Sequence, residues 1–489
     1  MMKLLFNLLL LLNYSFSFCQ PKTYNIVAFG AKGDGRTLNT ICIQRAIDIA
    51  FFKGGGKVII PKGRFVTGVI HLRSNVHLLL HKDAGLLGST SRLDYGIEDA
   101  RCLISTTNQN NVSITGYGEI DGRGREVVKD LIKLLHHGFF EDAQWKTKRP
   151  EEKNRPGVIA FTNCTNVVVK GITIKNSAGW VQDYRNCKNV LIDSVTVNST
   201  EYWNNDGIDI VNSQEVTITN CKVDAADDAI CLKSEGGEGW CENVSVANCT
   251  LRSSASAFKL GTGSRGGFKN IKVKNLYVYD TYRSAIALEA VDGGFMENIN
   301  IQQVKAVNTG NAFFIRLGHR NTDSTYSVVK NIRITDMQVQ VPAGKPDAGY
   351  PVEGPPQKFP HNVFPASIVG LPGHTVEDIE LKNITITYEG GGTKDKAYFG
   401  WDSLTRVPEN AAGYPEFSMF GELPAWALYV RHAKGLVLQN VQFIQQQPDY
   451  RPAGIFDDVS ELHLNEVNIP VCSTLPMLIV NGVPKNKTQ

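Results

Sequence analysis

One short unit, repeated along most of the chain, limits what this sequence can fold into. An Asn or Asp followed by alternating apolar residues recurs, as in Asn111-Val-Ser-Ile-Thr, Asn166-Val-Val-Val-Lys, Asn189-Val-Leu-Ile-Asp, Asn243-Val-Ser-Val-Ala, Asn270-Ile-Lys-Val-Lys, Asn331-Ile-Arg-Ile and Asp378-Ile-Glu-Leu. After a turn comes a second alternating run, such as Ile172-Thr-Ile, Val195-Thr-Val or Ile384-Thr-Ile. Runs this short, β-branched and punctuated by Asn and Gly read as strands. Their period, roughly 23 to 30 residues through the middle of the chain, is that of a solenoid. A single unit cannot bury its apolar face, whereas stacked coils bury it continuously and cover each other's edges. A propeller blade of four strands would need a longer period. The expected fold is therefore all-β, a right-handed parallel β-helix with one strand array winding through it.

The ends and the breaks are read separately. Ile41 to Phe52 has helical spacing (Ile43, Ala46, Ile47, Ala50) and is expected to cap the first coil. Arg123 to Arg155, Val341 to Thr375 and Glu389 to Pro424 break the period and read as surface loops, of the kind that shape binding sites on rigid scaffolds. The tract from Tyr414 to Trp426, with Arg431-His432, is expected to fold back over a groove. Met-Met-Lys followed by an apolar run from Leu4 to Leu12 reads as a signal peptide over residues 1–19, leaving 20–489 as one β-helix domain. Cys19 raises a lipid anchor, which Phe16 and Phe18 disfavour. The chain is thus expected to be exported, with no membrane span.

The formal net charge is +3 over 489 residues, so there is no basic excess of the kind that marks a nucleic-acid partner. Ten cysteines in an exported chain raise disulfides. Yet Asn163-Cys164, Asn186-Cys187, Asn220-Cys221 and Asn248-Cys249 repeat the same dipeptide, which predicts a ladder of buried free thiols. The spacing of Cys231 and Cys241 leaves a pairing open.

Aligning the coils exposes a polar site. Asp206-Gly-Ile-Asp-Ile, Asp228-Ala-Ile-Cys-Leu, Ser256-Ala-Phe-Lys-Leu and Ser284-Ala-Ile-Ala-Leu share one frame, and Phe313-Phe-Ile-Arg-Leu fits it as a fifth. Stacked strands repeat every ~4.8 Å, so Asp206 and Asp228 should lie on neighbouring coils, with Asp227 beside Asp228 and above Asn205. A second, outward ladder would run Asp209, Cys231, Lys259, Ala287, Arg316. Any one of these aspartates is more often a turn residue. Three on adjacent coils beside cations are harder to dismiss, because like charges so close destabilise a fold unless they are paired or used. Such crowding raises at least one carboxyl pKa, which a general acid needs.

These motifs, with the opening Asn25-Ile-Val-Ala-Phe-Gly-Ala-Lys-Gly-Asp-Gly and Gly54-Gly-Gly-Lys-Val-Ile-Ile-Pro-Lys-Gly, resemble glycoside hydrolase family 28, the polygalacturonases and their relatives, from about Tyr24 to at least Val341. The family's Asn-Thr-Asp-Gly motif stands here as Asn204-Asn205-Asp206-Gly207, and its Asp-Asp motif as Asp227-Asp228. The resemblance implies inverting hydrolysis, with Asp227 as general acid and Asp206 and Asp228 activating water. The expected enzyme is a monomer without cofactor or metal, its partner a polysaccharide or oligosaccharide of a pectin-type or related acidic plant or algal polymer, and long loops closing the groove would favour cutting from chain ends. Two family motifs are missing: Gly-His-Gly aligns with Ala255-Ser256-Ala257, and Arg-Ile-Lys with Ala287-Leu288-Glu289. Replacement substrate contacts are expected from Asn204, Asp209, Lys259, Glu289, Arg316 and Trp203, with Trp180, Tyr202, Tyr282 and Trp240 as further aromatics near the motifs. The rival readings are a lyase on the same fold, with the aspartates as calcium ligands, and a β-helix that binds polysaccharide without catalysis.

Overall fold

Parallel strands stack coil upon coil in a computed structural model that describes residues 22–236, 238–346, 362, 364–392, 404–469 and 478–481. The expected leader at 1–19 lies outside the described residues. Every strand-to-strand ladder is parallel, and each strand pairs with its counterpart one coil away. One coil supplies Gln182–Arg185, Lys188–Asp193 and Thr196–Ser199, and the next supplies Ile208–Val211, Gln214–Thr219 and Lys222–Ala225. The architecture is a right-handed parallel β-helix. No helix among the described residues is long and apolar enough to cross a membrane.

The alternation seen in the sequence sets the inside of the coil. Val167 and Val169, Val190 and Ile192, Val216 and Ile218, and Val244 and Val246 all point inward and are buried. Each such side chain contributes roughly 1.5–3 kcal/mol relative to exposure. The apolar core is continuous from Ile26 to Val459.

The recurring Asn has a backbone reason. Asn75, Asn111, Asn166, Asn189, Asn243, Asn270, Asn298 and Asn331 all have φ between 54° and 63°. Asparagine tolerates this left-handed corner better than most residues because its amide bonds locally. The amides also bond along the axis: Asn166 donates to Asn111 at 2.8 Å, Asn189 to Asn166 at 2.7 Å and Asn270 to Asn243 at 3.0 Å. Each corner thus fixes the position of the next.

Helix α1 (Thr40–Phe52) caps the first coil with Ile43, Ala46, Ile47 and Ala50 buried, as the spacing predicts. The tract from Arg123 to Arg155 is not simply a loop. It contains α2 (Gly124–His136), whose Val127, Leu131 and Leu135 share one buried face. The four Asn-Cys dipeptides also divide. Thr165 pairs with Lys188, which stacks Cys164 on Cys187, whereas Lys222 pairs with Thr250, which stacks Cys221 on Cys249 at a different corner. All four thiols are buried and free, and so are Cys231 and Cys241.

Candidate active site

The three aspartates come together where two successive coils carry their polar corners. Asn204 has φ 53° and turns the chain outward. Asn205 is fully buried, accepts from the Ser199 hydroxyl at 2.6 Å and donates to the Gly179 carbonyl at 3.1 Å, so the corner is pinned. Gly207 is required by space, since a Cβ there would lie 2.4 Å from Val223 Cγ1 and 2.6 Å from the Ala229 carbonyl oxygen. The Gly207 amide donates to the Asp228 carbonyl at 2.9 Å, which stacks Asp206 on Asp228. Asp227 caps its neighbour, its Oδ1 accepting from the Asp228 amide at 3.0 Å.

Two buried lysines complete the cluster. Lys233 Nζ donates to Asp206 Oδ2 at 2.9 Å and to Asp209 Oδ1, and lies 4.2 Å from the centre of the Trp180 ring. One coil on, Lys259 Nζ is 3.1 Å from Asp228 Oδ2 and 3.6 Å from Glu289 Oε2, and donates to the Tyr414 hydroxyl at 3.4 Å. Each lysine therefore bridges one front aspartate and one carboxylate beneath it. Among the described residues Asp227 has no such ion pair, and the cations that act on it most strongly are Arg283 and then Lys259.

This arrangement splits the carboxylates electrostatically. Burial, then the charges of Asp206 and Asp228, push Asp227 up from 3.8 to about 7. Burial also acts to raise Asp228, but Lys259, Lys233 and Arg283 outweigh it and hold that carboxyl below its usual range. Asp206 is raised by burial and by Asp228, with Lys233 opposing. Burial opposes the charge on both lysines, yet their carboxylate partners keep each pKa well above the ordinary lysine value. Burial lifts Glu289 to about 7 against Lys259. Two carboxyl groups poised differently at one pH suit acid and base roles.

The cleft over the cluster holds about 440 Å³ and is lined by Trp180, Asn204, Lys259, Arg320, Tyr414 and the three aspartates, among others. A larger open groove of about 560 Å³ lies on another face, over Asn243, Asn270, Asn298 and Asn331, and carries no carboxylate. The expected fold-back is present. Tyr414 reaches Lys259, and Glu416 lies 3.4 Å from Arg283. The outward column starts polar, at Asp183, Asp209 and Lys259, and turns apolar at Phe314, Tyr429 and Ile455. Leu404, Val407, Phe417, Phe420 and Leu423 pack on that apolar part and anchor the tract.

Several expected contacts need correction. Arg316 does not follow Ala287 in the ladder. The expected frame is off by two residues, a slip that keeps the inward and outward alternation: Ala287 pairs with Phe314 and Arg316 pairs with Glu289. Arg316 is fully buried and donates to the carbonyls of Gly370, Glu409 and Asn410 at 3.0, 2.7 and 3.3 Å, so its guanidinium pins the folded-back tract instead of a substrate. Asp209 and Glu289 lie beneath Lys233 and Lys259 and do not line the cleft. Trp203 stands outside the cleft lining, with Tyr202 edge-on at 5.1 Å and Arg149 over its ring at 5.6 Å. Trp180 and Tyr414 supply the aromatic wall instead. Asn204 and Lys259 do line the cleft. Lys233, Arg283 and Arg320 were not anticipated. Lys233 had a signal: it is the next outward position after Cys231, paired with Val211.

Known proteins resemble this chain in sequence and fold. The family described as glycosyl hydrolases family 28 matches residues 55–350. An exo-poly-alpha-D-galacturonosidase of Dickeya chrysanthemi is 28% identical over 325 residues, 56% of this chain and 53% of that one. A probable polygalacturonase of Vitis vinifera is 27% identical over 327 residues, 63% of this chain and 59% of that one. The chain thus spans between half and two thirds of these two relatives. Among solved structures, an exopolygalacturonase from Thermotoga maritima superposes with a TM-score of 0.63 over 87% of this chain and 91% of that one, at 24% identity, a likeness of fold.

Proposed function

Because the chain belongs to glycosyl hydrolases family 28, we propose that it is an exported glycosidase that hydrolyses a pectin-type polysaccharide with inversion. Asp227 protonates the leaving oxygen, and Asp228 with Asp206 takes the proton of the attacking water. Inverting enzymes use one carboxylic acid and one carboxylate across the scissile bond, with room for that water between them. The observation that carries the reading is the split within the triad: Asp227 stays protonated up to about pH 7, while Asp228 beside Lys259 is held below the usual carboxylate range. The lysines position the base side and balance its charge, and no step requires a cofactor. The tract that brings Tyr414 over Lys259 narrows the cleft, which suits cleavage near chain ends.

The lyase reading fares worse for a local reason. Asp206, Asp228 and Cys231 offer ligand atoms within 4.8 Å of one another. However, two buried ammoniums already sit on those carboxylates, and burial holds the Cys231 thiol well above its usual pKa. A divalent ion would have to displace both lysines. The deciding experiment is product analysis on pectin-derived polymers. New reducing ends of inverted configuration, formed equally in the presence of EDTA, are expected. An unsaturated, ultraviolet-absorbing product lost on chelation would refute the hydrolase.

A further inference from the structure

We infer that the sugar unit whose bond is broken in this cleft is neutral, recognised through its hydroxyl groups and not through a carboxylate. This rests on the glycosidase reading above and narrows its substrate. Among the described residues, the cleft is lined by six carboxyl groups, one of them the general acid Asp227, and by four cations. Each of the four cations already has an anionic partner. Lys233 bridges Asp206 and Asp209, and Lys259 bridges Asp228 and Glu289. Arg320 grips Asp292 with two nitrogens at 2.8 and 2.9 Å. Arg265 lies 2.8 Å from Asp323 and also donates to the Asp292 carbonyl at 3.1 Å.

A uronate entering this cleft brings one more negative charge to a lining that is already anionic. To hold it, the site would have to pull a cation from its partner. For the two lysines that strands a buried carboxylate, which is strongly unfavourable. The same lining suits a polyol. Glu152 lines the cleft, as does Glu235, whose Oε2 is paired with Arg185 at 2.7 Å and which keeps a second oxygen, while Asn204, Thr262 and Tyr414 add an amide and two hydroxyls. Sugar hydroxyls donate to the first group and exchange bonds with the second. Repulsion of the charged analogue then adds selectivity to whatever the hydroxyl contacts supply.

The test uses the full chain on a panel of pectin-derived polymers. It includes polygalacturonate, with a uronate at every position, and heteropolymers that carry both uronate and neutral glycosyl units. New reducing ends are labelled by borodeuteride reduction and identified after total hydrolysis. Asp227→Asn serves as the control for contaminating activity. The expected result is a labelled neutral alditol, and cleavage of polygalacturonate slower than the best heteropolymer on the order of tenfold or more. Labelled uronate ends, or polygalacturonate cleaved as fast as the rest, would overturn the inference and leave the hydrolase standing. No new ends on any polymer, or ends formed equally by Asp227→Asn, would remove the hydrolase reading and this inference with it.

Discussion

Asp227→Asn should stabilise the fold while removing turnover, and the stabilisation should grow with pH. In the unfolded chain the Asp227 carboxyl titrates near 3.8, and in the fold it titrates at about 7. Between those values the native state binds a proton that the unfolded state has released, so stability falls as pH rises through this window. Above about pH 7 the whole penalty is present, nominally about 4 kcal/mol. Asp227 is only half-buried, so solvent screens part of this, and a difference of about 1–3 kcal/mol is the realistic expectation. Asparagine keeps the oxygen that accepts from the Asp228 amide and carries no charge, so it escapes the penalty. Denaturant melts of both proteins at about pH 4.5, 6 and 8, within and above this window, would show it. The gap between variant and wild type should widen with pH and then level off. A gap that is constant, or that closes with rising pH, would refute the electrostatic account of the triad. In the same proteins kcat should fall by roughly 10²–10⁴-fold, and the wild-type rate should decline as pH rises through about 7.

Three further outcomes are expected. Lys259→Met leaves Asp228 and Glu289 without their shared cation and should cost about 3–5 kcal/mol in denaturant melts; a loss below about 1 kcal/mol would mean the pair is not structural. Arg316→Met removes the donor to three carbonyls that hold the folded-back tract, so limited proteolysis should cut between residues 404 and 426 while the β-helix core resists; an unchanged digestion pattern would count against Arg316 as the anchor. Because eight cysteines are free in the described structure, a reducing agent should leave the melting temperature unchanged, and a drop would reveal a disulfide.

The fold was legible because the solenoid repeats its chemistry: most left-handed corners carry Asn, and many inward positions carry a β-branched side chain. Helix α1 was legible from Ile43, Ala46, Ile47 and Ala50. Helix α2 was not, because Val127, Leu131 and Leu135 form a narrow stripe in a charged segment that interrupts the strand period. The three aspartates could be placed by counting along strands. Counting failed at Ala287 and Arg316, because a slip of two residues preserves the alternation and the pattern reads the same in either register. It also could not separate the two Asn-Cys corners, since both use the same dipeptide. The lysine bridges were hidden for a different reason. Lys233 and Lys259 act across coils, and which carboxylate each one meets depends on side-chain direction and burial.

The way the site is distributed over coils has a consequence for how such a gene can change in length. Asp206, Asp228 with Lys233, Lys259 and Glu289 come from four successive coils, each one strand spacing of ~4.8 Å from the next. A coil duplicated before Asp206 or after Glu289 would slot onto the asparagine corners and leave the chemistry untouched. A coil duplicated inside that block would separate a lysine from its aspartate by a full step. The block is therefore indivisible, while the coils on either side are free to multiply or disappear, lengthening or shortening the groove around a constant centre.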